Sequence, residues 1–239
     1  MSGGKATVLF VGGGSGGHIY PNVAVVERLV EAGVEVEAHF VVSERAVDGT
    51  VCAGLGVGYT AVPAAVPSIR PGGAWRFWTG WRGTAAVVER LLAERAAVGC
   101  PVGGVVATGG FVSAAVVGAV KGRVPVALVS LDAVAGRANR WAARKATSVF
   151  SAYEGGGLAG AEVIGYPLRR AVVGAGRAPE GGRAGGGGGV VGVGGGGGGG
   201  GGWWRGPGGG GGGGGAGGPV VGAGLGGVRV LLVFGGSQG

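Results

Sequence analysis

Cysteine is scarce in this chain of 239 residues, with only Cys52 and Cys100 present. Neither stands at a metal-ligand spacing, and so small a number makes a reducing compartment the default. Acidic residues are also few, 12 against 20 Lys and Arg, for a net charge of +8. That excess favours phosphates or anionic lipid as partners. The arginines are spread along the chain, however, and no dense Lys/Arg block with interleaved aromatics occurs, so nucleic acid is not an expected partner. No apolar h-region precedes the first strand pattern, and a signal peptide is not expected. The uncharged run Val102 to Val120 nearly reaches membrane-spanning length. Thr108-Gly109-Gly110 interrupts it, which reads as a buried strand, a turn and a buried helix rather than a transmembrane segment.

Glycine is the opposite case, at 66 residues, with most of the excess between Gly155 and Gly227. Gly185–Gly202 and Gly208–Gly218 are almost entirely glycine, separated by a piece containing Trp203-Trp204-Arg205. Glycine loses the most entropy on ordering and brings no side chain to bury, so 171–227 is expected to be a disordered linker or insert. The foldable remainder amounts to about one α/β domain.

That domain is organised around one stretch. Thr7-Val8-Leu9-Phe10-Val11 reads as a strand, Gly12-Gly13-Gly14-Ser15-Gly16-Gly17-His18 as a turn, and Ile19-Tyr20-Pro21 as a helix start. Strand, glycine loop and helix N-terminus together form an anion cradle, because bare N–H groups and the helix dipole both favour negative charge. Gly12, Gly14 and Gly17 also satisfy the dinucleotide fingerprint, which wants an acidic residue about 20 positions on. Glu35 and Glu37 fall near that distance. His18, at the loop-to-helix junction, is a candidate general base, since imidazole takes a proton near neutral pH. The plainer alternative is a histidine that caps the helix.

Strand patterns near Ala6–Val11, Val34–Val42, Gly58–Val62, Val102–Ala107 and Pro125–Ser130 alternate with helical patterns. The helices are expected near Pro21–Ala32, Glu44–Ala53, Thr84–Ala97, Phe111–Lys121 and Ala135–Ala146. Repeated strand–helix units predict an α/β, Rossmann-like, doubly wound parallel sheet with ligands outside the carboxyl ends of its strands. The loops at Gly12–His18, Thr108–Gly110 and Ser130–Gly136 should then face one crevice.

Between Ser68 and Arg82, Trp75, Phe77, Trp78 and Trp81 stand among arginines. Rings beside cations suit a membrane interface, and equally suit a helix packing its tryptophans into its own domain. Further on, Val228–Phe234 reads as a strand opening a second loop, Gly235-Gly236-Ser237-Gln238-Gly239.

Five segments in order carry a resemblance: Gly13–Pro21, Gly109–Ser113, Ala135–Trp141, Gly165–Arg169 and Gly235–Gly239. This series resembles the MurG-type glycosyltransferases of family 28. The family has two Rossmann-like domains facing across a cleft, the GT-B arrangement. The resemblance implies residues 1–170 as the N-terminal acceptor-side domain and 228–239 as the start of a truncated donor domain. It implies transfer of N-acetylglucosamine from UDP-N-acetylglucosamine to an undecaprenyl-diphosphate-linked muramyl-pentapeptide, lipid I, giving lipid II for peptidoglycan. The reaction would be a single inverting displacement needing no tightly held metal or other cofactor, at the cytoplasmic face of the cell membrane. By the same likeness His18 is the candidate base, and Ser15, Gly16, Gly17, Arg169 and Ser237 contact substrate. Trp75, Phe77, Trp78 and Trp81 would dock peripherally on the membrane. Where the family reads His-Glu-x-Asn, this chain has Val129-Ser130-Leu131-Asp132. A titratable glutamate is lost, and Asp132, an acceptor-only anion, replaces an amide near the sugar nucleotide. Asp132 also suits an N-cap for the following helix. Two alternatives remain open: another lipid or glycan acceptor, and an NAD(P)-dependent oxidoreductase.

Overall fold

The computed structural model describes residues 6–14, 17–66, 68, 70–175, 220–225 and 228–233. Ser15, Gly16, the glycine tracts, Trp203-Trp204-Arg205 and the second glycine loop with Ser237 lie outside the described residues.

Seven parallel strands form one sheet: β1 (Ala6–Val11), β2 (Val36–Ser43), β3 (Tyr59–Val62), β4 (Val102–Ala107), β5 (Val126–Ser130), β6 (Ser148–Ser151) and β7 (Glu162–Val163), in the order β3-β2-β1-β4-β5-β6-β7. The order reverses between β1 and β4, which is where open α/β sheets bind ligands. Val11 lies level with both Val41 and Ala107, so β1 and β4 end together, with β2 running two residues further, and their loops emerge side by side.

Five helices cover the two faces. Val8 and Phe10 look toward α1 (Ile19–Glu31) and α2 (Ala46–Leu55), in a core with Leu29, Phe40 and Cys52. Leu9 and Val11 look toward α3 (Gly73–Ala97), α4 (Gly110–Val120) and α5 (Arg137–Ala143), in a core with Val88, Val116 and Leu128. Strands buried on both faces explain the unbroken Val and Leu runs. A sixth helix, α6 (Arg170–Ala175), crosses the boundary expected at 170 and is tied to α1 by the Arg169–Glu27 and Arg170–Glu31 ion pairs. At the far end, β8 (Val220–Leu225) and β9 (Val228–Val233) form an antiparallel pair separate from the main sheet.

Helix α3 begins eleven residues before the expected Thr84 and takes in the aromatic stretch. Gly80 and Gly83 make the sequence look broken there, yet their bare Cα atoms let the chain after β3 lie on the helix. A Cβ on Gly80 would come within 2.3 Å of the Pro63 carbonyl oxygen, and one on Gly83 within 2.8 Å of the Pro63 ring. Among the described residues no helix is long and apolar enough to cross a membrane.

The second histidine of the chain, His39, belongs to this framework. Its Nδ1 accepts from the Arg95 guanidinium at 2.8 Å, so the proton sits on Nε2, which donates to Thr60 Oγ1 at 2.8 Å. Burial first, then the Arg95 charge, lowers its pKa. Sign follows from linkage: the unfolded chain binds the proton more readily, so stability is complete above about pH 6.5 and falls on acidification below it. Thermal midpoints should therefore drop between pH 7.5 and 5.5, and a His39→Gln variant should flatten that slope.

Candidate active site

Thr108, at the end of β4, connects the loops after β1 and β4. Its carbonyl accepts from His18 Nδ1 at 2.9 Å, and its hydroxyl lies 2.7 Å from the His18 carbonyl and 3.1 Å from Asn22 Nδ2. Because a carbonyl only accepts, Nδ1 must carry a hydrogen, which places the lone pair of the neutral imidazole on Nε2. His18 occupies the N-cap position of α1, but its side chain makes no capping bond, so the plainer capping role is excluded. The ring is half-buried, and its Nε2 edge faces Gly110, where an added Cβ would stand 3.7 Å away. The imidazole is therefore oriented by one nitrogen and left basic at the other, beside the N-termini of α1 and α4.

Gly12 makes this approach possible. A Cβ there would meet Thr108 Oγ1 at 2.5 Å and the His18 carbonyl oxygen at 2.8 Å. Gly12→Ala should push the loop off β4, lowering stability by about 1–3 kcal/mol in thermal unfolding.

The third loop joins through Asn139 of α5, a fully buried amide. Its Nδ2 lies 3.1 Å from Asp132 Oδ2 and 3.4 Å from Ser130 Oγ, and it backs directly onto Gly109. The three loops expected to share a crevice thus do so. Asp132 does not cap α5, whose N-cap is Gly136 without a side-chain bond; the carboxylate is engaged by Asn139 instead. Asn22 and Asn139 each keep a buried carbonyl oxygen without a partner at the crevice floor. Beyond Asp132 lies a cavity of 320 Å³ lined by Ser151, Tyr153, Gly156, Leu158, Ala161 and Val163. Burial, then Tyr153 and Asp132, raise the Tyr166 phenol above its ordinary pKa.

Several expected residues fall elsewhere. Gly17 is exposed at the loop. Arg169 pairs with Glu27 at 3.1 Å, nine residues along α1 from His18; that is about 13 Å of helix, so it is not among the side chains the crevice brings together. Glu37, which the dinucleotide reading wanted near the loop, sits toward the opposite end of β2 and pairs with Arg95. Ser43 occupies the end where an acidic ribose reader would stand. On α3, Trp75 and Trp78 are 67% and 50% exposed, and Arg82 lies over the Trp78 ring at 4.7 Å. Trp81 is the correction in that set. Its half-buried ring meets Trp141 edge-on at 5.0 Å, carries Phe77 at 5.7 Å, and fills the space over Gly118. It packs α3 against α4 and α5 rather than facing out. Thr108, Asn22 and Asn139 were not expected as site residues. For Thr108 and Asn22 the available signal was a polar residue inside an otherwise apolar segment; Asn139, between Arg137 and Arg140, offered none.

Residues 8–151 match the model of the glycosyltransferase family 28 N-terminal domain. Over 177 residues the chain is 33% identical to the UDP-N-acetylglucosamine–N-acetylmuramyl-(pentapeptide) pyrophosphoryl-undecaprenol N-acetylglucosamine transferase of Mycobacterium avium, covering 72% of this chain and 43% of that protein. With the enzyme of the same name from Salmonella paratyphi A it shares 32% identity over 184 residues, covering 72% and 47%. The chain thus spans less than half the length of the curated relatives it matches. The crystal structure of Acinetobacter baumannii MurG has the same fold, with a TM-score of 0.54 at 18% identity over 69% of this chain and 47% of that one. By its matched domain, the chain belongs to glycosyltransferase family 28.

Proposed function

We propose that this chain is the N-terminal, acceptor-side part of an inverting transferase that moves N-acetylglucosamine from UDP-N-acetylglucosamine to lipid I. The observation that carries the reading is the oriented His18: Nδ1 is committed to the Thr108 carbonyl and Nε2 is bare toward Gly110. In this reading Nε2 takes the proton of the acceptor hydroxyl as its oxygen attacks the sugar C1, and the UDP diphosphate leaves. The N-termini of α1 and α4, which open beside the glycine loop, supply positive potential for diphosphate charge without a metal. Gly17 and Asp132 border the same crevice. Ser15, Gly16, Arg169 and Ser237 are proposed as further substrate contacts on the family likeness.

The exposed Trp75 and Trp78, with Arg70, Arg76 and Arg82 exposed around them, support peripheral docking on an anionic membrane that carries the lipid acceptor. The oxidoreductase reading loses ground, because Glu35 and Glu37, the acidic residues its spacing pointed to, stand at the opposite end of β2 from the loop.

The test is sugar transfer by the intact gene product from labelled UDP-N-acetylglucosamine to lipid I presented in vesicles. Formation of lipid II supports the reading. Transfer only to a different lipid or glycan would reassign the acceptor, and saturable binding of NADH without binding of UDP would overturn it.

A further inference from the structure

One buried carboxylate takes no part in the mechanism above. Asp48, in the first turn of α2, is fully buried, and its Oδ2 lies 2.7 Å from the Gly14 amide nitrogen, 3.2 Å from the Ser43 amide nitrogen and 2.5 Å from Ser43 Oγ. The fit is close, since a Cβ on Gly13 would stand 2.5 Å from the same oxygen. Arg45, immediately before the helix, donates from its exposed guanidinium to the Gly14 carbonyl at 2.6 Å. Gly14, at φ +106°, is thus held by its N–H on one side and its C=O on the other, both from one turn of α2. A backbone position with no Cβ and a positive φ has many alternatives open to it, so two charge-assisted bonds select one of them. Asp48 Oδ1 is buried without a partner. A carboxylate half satisfied in the interior is an expensive way merely to start a helix.

We infer that Asp48 and Arg45 are positioning residues that clamp Gly14 and so fix the form in which the glycine loop meets a diphosphate and presents His18. Gly14 is thus held from α2, and His18 is held from Thr108. The kinetic consequence rests on the sugar-transfer reading; the clamp itself does not.

The experiment therefore has two arms on the full-length protein. Amide hydrogen exchange of Gly14 without substrate should accelerate about tenfold in Asp48→Ala. Asp48→Asn, which keeps an acceptor oxygen, should stay within about threefold of the original chain. In the second arm, Arg45→Ala should lower kcat for transfer about tenfold with an unchanged thermal midpoint. Arg45→Gln, a neutral donor to the same carbonyl, should restore most of it. Arg45 is exposed, so its variants carry the test where Asp48→Ala does not fold. Unchanged Gly14 exchange in Asp48→Ala would overturn the clamp. So would an Arg45→Gln rate as low as that of Arg45→Ala, which would make the guanidinium a charge contact to phosphate. If no transfer is seen in the unmutated protein, the exchange arm still decides the clamp while the transfer reading fails by itself.

Discussion

Replacing His18 by alanine should lower transfer by about 100-fold or more while leaving affinity for UDP-N-acetylglucosamine within about twofold. The split follows from geometry. The donor's charge would be met by loop amides and helix N-termini, which the substitution leaves in place. The acceptor hydroxyl depends on Nε2, which vanishes with the ring. Removing the ring also frees the Thr108 carbonyl, but the Thr108 hydroxyl still holds the His18 backbone at 2.7 Å, so the loop should keep its course. Circular dichroism and the thermal midpoint check that expectation. His18→Gln is the sharper companion, because a side-chain amide keeps a donor for Thr108 but has no basic nitrogen. It should be as inactive as His18→Ala and closer to the original in stability. Equal loss of donor affinity and rate would instead make His18 a binding residue.

The tryptophans of α3 should separate into two classes. Trp81→Ala removes the ring that fills the space over Gly118 and meets Trp141, and should destabilise the domain by about 3 kcal/mol. Trp75→Ala and Trp78→Ala together remove half-exposed or exposed rings and should change stability by no more than about 0.5 kcal/mol. Their expected effect is on vesicles. A ring that buries about 100 Å² of apolar surface in the interface is worth roughly 2.5 kcal/mol, so each loss should weaken binding to anionic vesicles more than tenfold. Arg82, stacked on Trp78 at 4.7 Å, should add a salt-dependent contribution. A double variant that binds vesicles as well as the original would remove the docking role and leave these rings unexplained.

The part of this molecule legible in the sequence is the part governed by short-range pattern. Strands buried on both faces announce themselves as Val and Leu runs, and β1 and β4 fall where those runs do. The glycine loop followed by Pro21 marks the start of α1 for equally local reasons. What escaped depends on contacts across the chain. Gly80 and Gly83 look like helix breakers until Pro63 is seen against them. Trp81 is indistinguishable by spacing from Trp75 and Trp78, because its inward role is defined by Trp141, sixty residues later. β6 is four residues with serine at both ends, too short and too polar for a periodicity to show. The candidate site divides in the same way. His18 stands out as a rare residue type at a motif, whereas Thr108, Asn139 and Asp48 matter only because the switch in strand order brings their loops to one place.

In the proposed reaction the acceptor oxygen, deprotonated by His18, attacks the sugar carbon directly in a single displacement. The measurement that tests it most directly is the anomeric configuration of the sugar transferred by the intact gene product, read from the proton coupling at C1. The configuration expected is opposite to that in the UDP donor. A retained configuration would exclude a single backside displacement, and with it the role given to His18.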